Sequence, residues 1–137
     1  VEGILGHPRT TSVLDFDQPI GLLMLWLLHF VPDSWNPVGI LARYQDRLAS
    51  GSYLALSHGT VDGNSTAGLA ELVELYRDTW DPAYSRSYDE VLRLFAGFEL
   101  VEPGLVGCAF WRPSGPGDAS DRPEVNTLLY GGAGRKP

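Results

Sequence analysis

The stretch Pro19-Ile20-Gly21-Leu22-Leu23-Met24-Leu25-Trp26-Leu27-Leu28-His29-Phe30-Val31-Pro32-Asp33 carries the longest apolar run of the chain. The run covers residues 20–28, or 20–31 if His29, Phe30 and Val31 are counted. A membrane-spanning helix needs roughly 20 apolar residues, so the run is too short to span. A buried helix has the same periodicity, but Pro19 before the run and Pro32-Asp33 after it favour a short strand buried on both faces. Such strands belong mainly to parallel sheets covered by helices on both sides.

Outward from this strand the chain alternates helix and strand. Ser34 and Asn36 are both candidate helix N-caps, and Pro37 suits a first helical turn. Residues 38–48 carry an apolar stripe at Ile40, Leu41, Tyr44 and Leu48, with Arg43, Asp46 and Arg47 on the polar side. Ser50-Gly51 stops that helix, and residues 52–57 form a second apolar strand, which makes a right-handed βαβ unit. Residues 58–65 read as a loop, and Thr66 is placed to cap a helix over 67–78. Asp81-Pro82 breaks it. Ser87 and Glu90 form a capping-box pattern for a helix over 89–95 that ends at Gly97. A third strand is expected over 98–103, with residues 106–112 either extending it or bending away. Residues 113–123 read as an exposed loop, and a last strand is expected within 125–133. The order is that of an α/β fold ending in a hairpin-like pair.

The 137 residues amount to one domain or less. Ten Lys and Arg against 17 Asp and Glu leave a net charge of −7. So acidic a surface repels phosphate backbones and argues against nucleic acid as a partner. A single cysteine, Cys108, allows no internal disulfide and fits a cytoplasmic protein. The first residues show no signal-peptide pattern, and Val1 in place of methionine is expected of a start inside a longer protein or of a processed one.

Two histidines stand at strand ends, where open α/β sheets bind their ligands. His29 reads either as a strand-end residue satisfied by a backbone carbonyl or as a site residue. The end of the second strand gives Ala55-Leu56-Ser57-His58-Gly59, which differs from a nucleophile elbow only at the pattern's first position. That elbow should pass directly into a helix, and the hydrolase triad needs a later histidine, which the chain lacks. A serine hydrolase using Ser57 is thus a weak alternative. Gly131-Gly132-Ala133-Gly134 superficially suggests a phosphate loop, but such a loop leads from a strand into a helix, and the stretch reads instead as a glycine-rich turn or strand end. His7, His29 and His58 lack metal-ligand spacing, so no metal is expected. Trp26, Trp80 and Trp111 read as packing residues.

Several stretches together resemble a known family. They are Leu14-Asp-Phe-Asp-Gln-Pro-Ile-Gly-Leu-Leu23, Leu28-His-Phe-Val-Pro-Asp33, Gly51-Ser-Tyr-Leu-Ala-Leu-Ser-His58, Phe98-Glu-Leu-Val-Glu-Pro-Gly-Leu-Val106 and Tyr130-Gly-Gly-Ala-Gly-Arg-Lys-Pro137. In order and spacing they resemble the class I S-adenosylmethionine-dependent methyltransferases abundant in actinobacteria. The resemblance implies a Rossmann-like sheet of order 3-2-1-4-5-7-6 with the last strand antiparallel. Residues 19–26, 52–57, 98–101 and 127–131 then correspond to its fourth, fifth, sixth and seventh strands. Residues 1–5 align just past the third strand. The chain is therefore expected to be the C-terminal half of such a domain (residues 1–137), without the glycine-rich cofactor loop and the acidic anchors of the first three strands.

By the same resemblance, Leu28, His29 and Phe30 are expected to contact S-adenosylmethionine in the complete enzyme. His58 is expected to orient or deprotonate a small-molecule acceptor. With the first strand absent, residues 20–28 become a sheet edge with no charge or bulge to guard it, which implies homo-oligomerisation through that edge. The alternative to an enzyme is a truncated, non-catalytic binding or assembly module.

Overall fold

A computed structural model describes residues 1–60, 62, 71, 73–80, 82–115 and 128–137. Two short helices open the chain, α1 (Glu2–Leu5) and α2 (Pro8–Thr11). Strand β1 (Gly21–Leu25) leads through two 3-10 turns, Leu28–Phe30 and Asp33–Trp35, into helix α3 (Pro37–Arg47). Strand β2 (Tyr53–Gly59) follows, and later helix α4 (Tyr88–Arg93). The C-terminal part holds β3 (Glu99–Leu100), β4 (Val106–Gly107) and β5 (Leu129–Arg135). Of the helix expected over 67–78, residues 71 and 73–76 are described and helical. Its cap Thr66 lies outside the described residues, as does most of the loop expected over 113–123.

The sheet order is β1-β2-β5-β3, with β4 also paired to β5. β1 and β2 are parallel, and every pairing of β5 is antiparallel. This is the expected sequence of fourth, fifth, seventh and sixth strands with the last one reversed. It leaves β1 at an edge of the described sheet.

Local chemistry explains the boundaries. The Asn36 side chain accepts from the Gly39 N–H at 3.1 Å, and Pro37 follows at the first position of α3. The Glu90 carboxylate reaches back to the Ser87 N–H at 2.8 Å, completing the capping box of α4. Gly97, at φ +82°, turns the chain out of the region after α4 in a conformation that a side chain would strain.

Two expectations for β1 are corrected. The run does not continue as a strand to Leu28. It stops at Leu25 because Trp26 takes φ +52°, and Leu28–Phe30 winds into a 3-10 turn. Nor is it buried on both faces. Met24 is buried, but Leu23 and Leu25 remain 64% and 54% exposed, because nothing among the described residues covers them.

The core lies against the other face. The registers Leu22↔Leu54 and Met24↔Leu56 put these four side chains together. Leu41 of α3, Val91 of α4, and Leu94, Phe95 and Phe98 just beyond α4 pack into the same cluster. On β5 the same face carries Gly132 and Gly134, opposite Leu56 and Leu54. A Cβ at Gly134 would stand 2.8 Å from the Phe98 Cβ, and one at Gly132 would stand 3.2 Å from the Phe95 ring. These glycines thus let the Phe95 ring and the Phe98 Cβ lie close on the strand. Trp80 is fully exposed rather than packed.

Candidate functional site

The carboxyl ends of β1 and β2 bring together the turn Leu28–Phe30, the end of β2 at His58-Gly59, and residues 83–86. Two serine hydroxyls stitch β1 to β2. Ser52 Oγ accepts from the Ile20 N–H at 3.0 Å, and Ser57 Oγ accepts from the Trp26 N–H at 2.9 Å. The second bond holds the left-handed Trp26 in place. It also gives Ser57 a structural role.

Arg86 is 3% exposed, and its guanidinium is saturated. Nη1 donates to the Leu28 carbonyl at 2.9 Å and lies 2.6 Å from His58 Nε2. Nη2 donates to the Val31 carbonyl at 2.7 Å and to Asp33 Oδ1 at 2.7 Å, while Nε donates to the same oxygen at 3.2 Å. A guanidinium has five N–H groups, and these contacts use each of them. The backbone adds two bonds. The Tyr84 N–H donates to the His29 carbonyl at 2.6 Å, and the Arg86 N–H donates to Gly59 at 3.2 Å.

His58 is wholly buried. Its Nδ1 lies 2.7 Å from the Gly59 carbonyl. A carbonyl only accepts, so Nδ1 carries the proton and the Nε2 lone pair accepts from Arg86. Burial is the main cause that drives its pKa down to about 4. The Gly59 bond opposes this, and the Arg86 cation adds to it. No lone pair is left for an acceptor's proton.

His29 is its opposite. The ring is 4% exposed, yet among the described residues neither nitrogen has a hydrogen-bond partner. It sits among rings, 4.4 Å from Trp26, 4.2 Å from Phe30 and 5.9 Å from His58, centroid to centroid. Burial, with Arg86 adding to it, holds its pKa below the usual value, so it is neutral at pH 7. It borders a small apolar niche between Trp26, Ala83 and Tyr84. Leu28 points into the core, and its carbonyl is already bonded, whereas Phe30 is half-buried and its ring lies 5.5 Å from that of Tyr76.

The structure thus brings His29 and His58 together and adds Arg86, which sequence reasoning missed. Its position directly before the cap Ser87 was the only local signal. Among the described residues no cluster of His, Cys, Asp or Glu could hold a metal ion, and no helix is long and apolar enough to cross a membrane.

The whole chain, residues 1–137, matches the family model described as S-adenosyl methyltransferase. A DUF574 family protein from Streptomyces avermitilis is similar in structure, with TM-score 0.90, 34% identity, and coverage of 99% of this chain and 51% of the other. A candidate methyltransferase from Thermobifida fusca gives TM-score 0.87 and 32% identity over 98% of this chain and 50% of its own. CalO1, a methyltransferase of calicheamicin biosynthesis solved with S-adenosylhomocysteine bound, shares the fold. Its TM-score is 0.53 at 18% identity, over 90% of this chain and 33% of its own. None of the curated proteins is similar enough to match. The chain spans about half the length of the two more similar structures. With its strand order and a family match over residues 1–137, the chain belongs to the S-adenosyl methyltransferase family.

Proposed function

We propose that this chain forms the C-terminal half of a cytoplasmic S-adenosylmethionine-dependent methyltransferase that acts on a small molecule, the glycine-rich half being supplied by the rest of the domain. The observation that carries the reading is His29, a buried imidazole just beyond β1 whose two nitrogens find no partner among the described residues. Leaving buried polar atoms unpaired costs about 1–3 kcal/mol each, so such a ring marks a place completed by something else.

The unpartnered His29 imidazole and the half-buried Phe30 ring fit a cofactor at this end of the sheet: they would border it, and Leu28 beneath them seats the turn in the core. When bound, S-adenosylmethionine supplies a methyl group on a sulfonium centre, open to in-line displacement. This chain's contribution is then to orient and to exclude water, for which holding reactants in line supplies much of the rate. Of the two imidazoles, His58 is the positioning group, since Arg86 occupies its lone pair. The neutral His29 keeps one free to accept a proton.

The experiment is a calorimetric titration of S-adenosylhomocysteine into a protein of full family length carrying His29→Ala. The dissociation constant is expected to rise at least fivefold, about 1 kcal/mol. A change within twofold in both binding and turnover would leave His29 a plain strand-end residue.

One observation favours a second reading, an assembly module. The edge strand β1 presents Leu23 and Leu25 to solvent, with Trp26 exposed just beyond it, without a guarding charge. On this reading the isolated chain pairs with a second copy edge to edge and binds no cofactor at any length of the protein.

A further inference from the structure

We infer that Arg86 is the positioning residue of the site: its buried guanidinium holds the Leu28–Phe30 turn in register with the end of β2 and keeps His58 occupied so that His29 alone stays free. The inference rests on the reading that this turn borders the cofactor.

The turn has little to hold it from within. It is three residues long, and it follows a left-handed tryptophan. Its carbonyls at Leu28 and His29, and that of Val31 just beyond, are each fixed by residues 84–86, through Arg86 Nη1, the Tyr84 N–H and Arg86 Nη2. Asp33 anchors the next turn to the same guanidinium. One side chain therefore spans the chain from Leu28 to Asp33, on the approach to α3. The arrangement needs the planar fork. Five donors aimed at two carbonyls, a carboxylate and an imidazole cannot be replaced by the three donors of an ammonium group.

The Asp33 carboxylate is 81% exposed while the Arg86 side chain is 4% exposed. The pair is therefore no buried ion pair kept for attraction alone. Neutral acceptors satisfy most of the guanidinium, as expected of a group that sets geometry.

Arg86→Lys keeps the cation and removes the fork. In the 137-residue chain, imidazole ¹⁵N spectra should show His58 as the Nδ1–H tautomer in the wild type. In Arg86→Lys that tautomer should be lost or mixed, and the His29 signals should shift. In the protein of full family length, the dissociation constant for S-adenosylhomocysteine should rise at least tenfold while the thermal transition stays cooperative. A folded Arg86→Lys protein that binds within twofold of wild type overturns the inference. Should that variant not fold, Asp33→Asn, which weakens two of the five bonds, is expected to raise the constant about threefold, and an unchanged constant overturns it equally. If the wild-type protein binds no cofactor, the methyltransferase reading fails instead. The His29 spectra then decide the positioning role alone, and signals unmoved in both variants refute it.

Discussion

On the inner face of the sheet Met24, Leu54 and Leu56 keep 6%, 0% and 1% of their surface, whereas Leu23 and Leu25, alternating with Met24 on the same strand, keep 64% and 54%. The residue types are nearly the same on both sides. The inner face has α3, α4, Phe95 and Phe98 packed against it and ends in the saturated Arg86 hub. The outer face has no cover among the described residues. The comparison teaches that, among the described residues, β1 is covered on one side only. The site stands at the boundary, with Arg86 and His58 fully bonded and His29 left open.

The largest effect that should separate the faces is truncation. Leu56→Ala should cost about 2–5 kcal/mol through lost burial and the cavity left behind. Leu23→Ala should stay within about 0.5 kcal/mol in the isolated chain. Urea denaturation of both variants measures this, and equal costs would mean that the outer face is packed in solution.

Next comes the pH dependence of the hub. His58 is buried with a pKa of about 4, against about 6.5 when unfolded. The unfolded state thus binds the extra proton between these values, and stability falls as the pH drops. The contribution is complete above about pH 6.5 and is lost progressively toward pH 4, to an extent of about 3 kcal/mol. Acid unfolding followed by circular dichroism should show this slope. His58→Gln, which does not titrate, should remove most of it and leave the smaller contribution of His29, whose pKa is lowered in the same sense.

The smallest effect on the fold, and the sharpest probe of the outer edge, is Leu25→Lys. At a side chain already half exposed the charge should change stability by at most about 0.5 kcal/mol. In sedimentation at tens of micromolar the wild-type chain should associate through β1, and Leu25→Lys should shift it toward monomer. A wild-type chain that stays monomeric would mean that the edge needs no partner.

Much of the inner face was legible because its signals are local. Asn36-Pro37 and the Ser87/Glu90 pair each fix a helix start within three or four residues, and the strand order followed from the family resemblance. The apolar run at 20–28 was legible as a strand but not as half-covered, since the residues of a strand do not say whether a second layer lies over it. Its end at Trp26 was hidden too, because a non-glycine residue at positive φ has no compositional mark. Arg86 was illegible for a different reason. Its partners lie 28 to 58 residues away, and two of them are main-chain carbonyls, which every residue has. His29 and His58 looked equivalent at two strand ends. Only the hydrogen bonds separate them.

The central claim is that this chain carries one half of a cofactor site. Calorimetric titration of S-adenosylmethionine tests it most directly, run on the 137-residue chain and on the protein of full family length. The account predicts a dissociation constant above roughly 1 mM for the chain alone, weaker than about −4 kcal/mol, and micromolar binding once the rest of the domain is present. Micromolar binding by the chain alone, or none by the full-length protein, would contradict it.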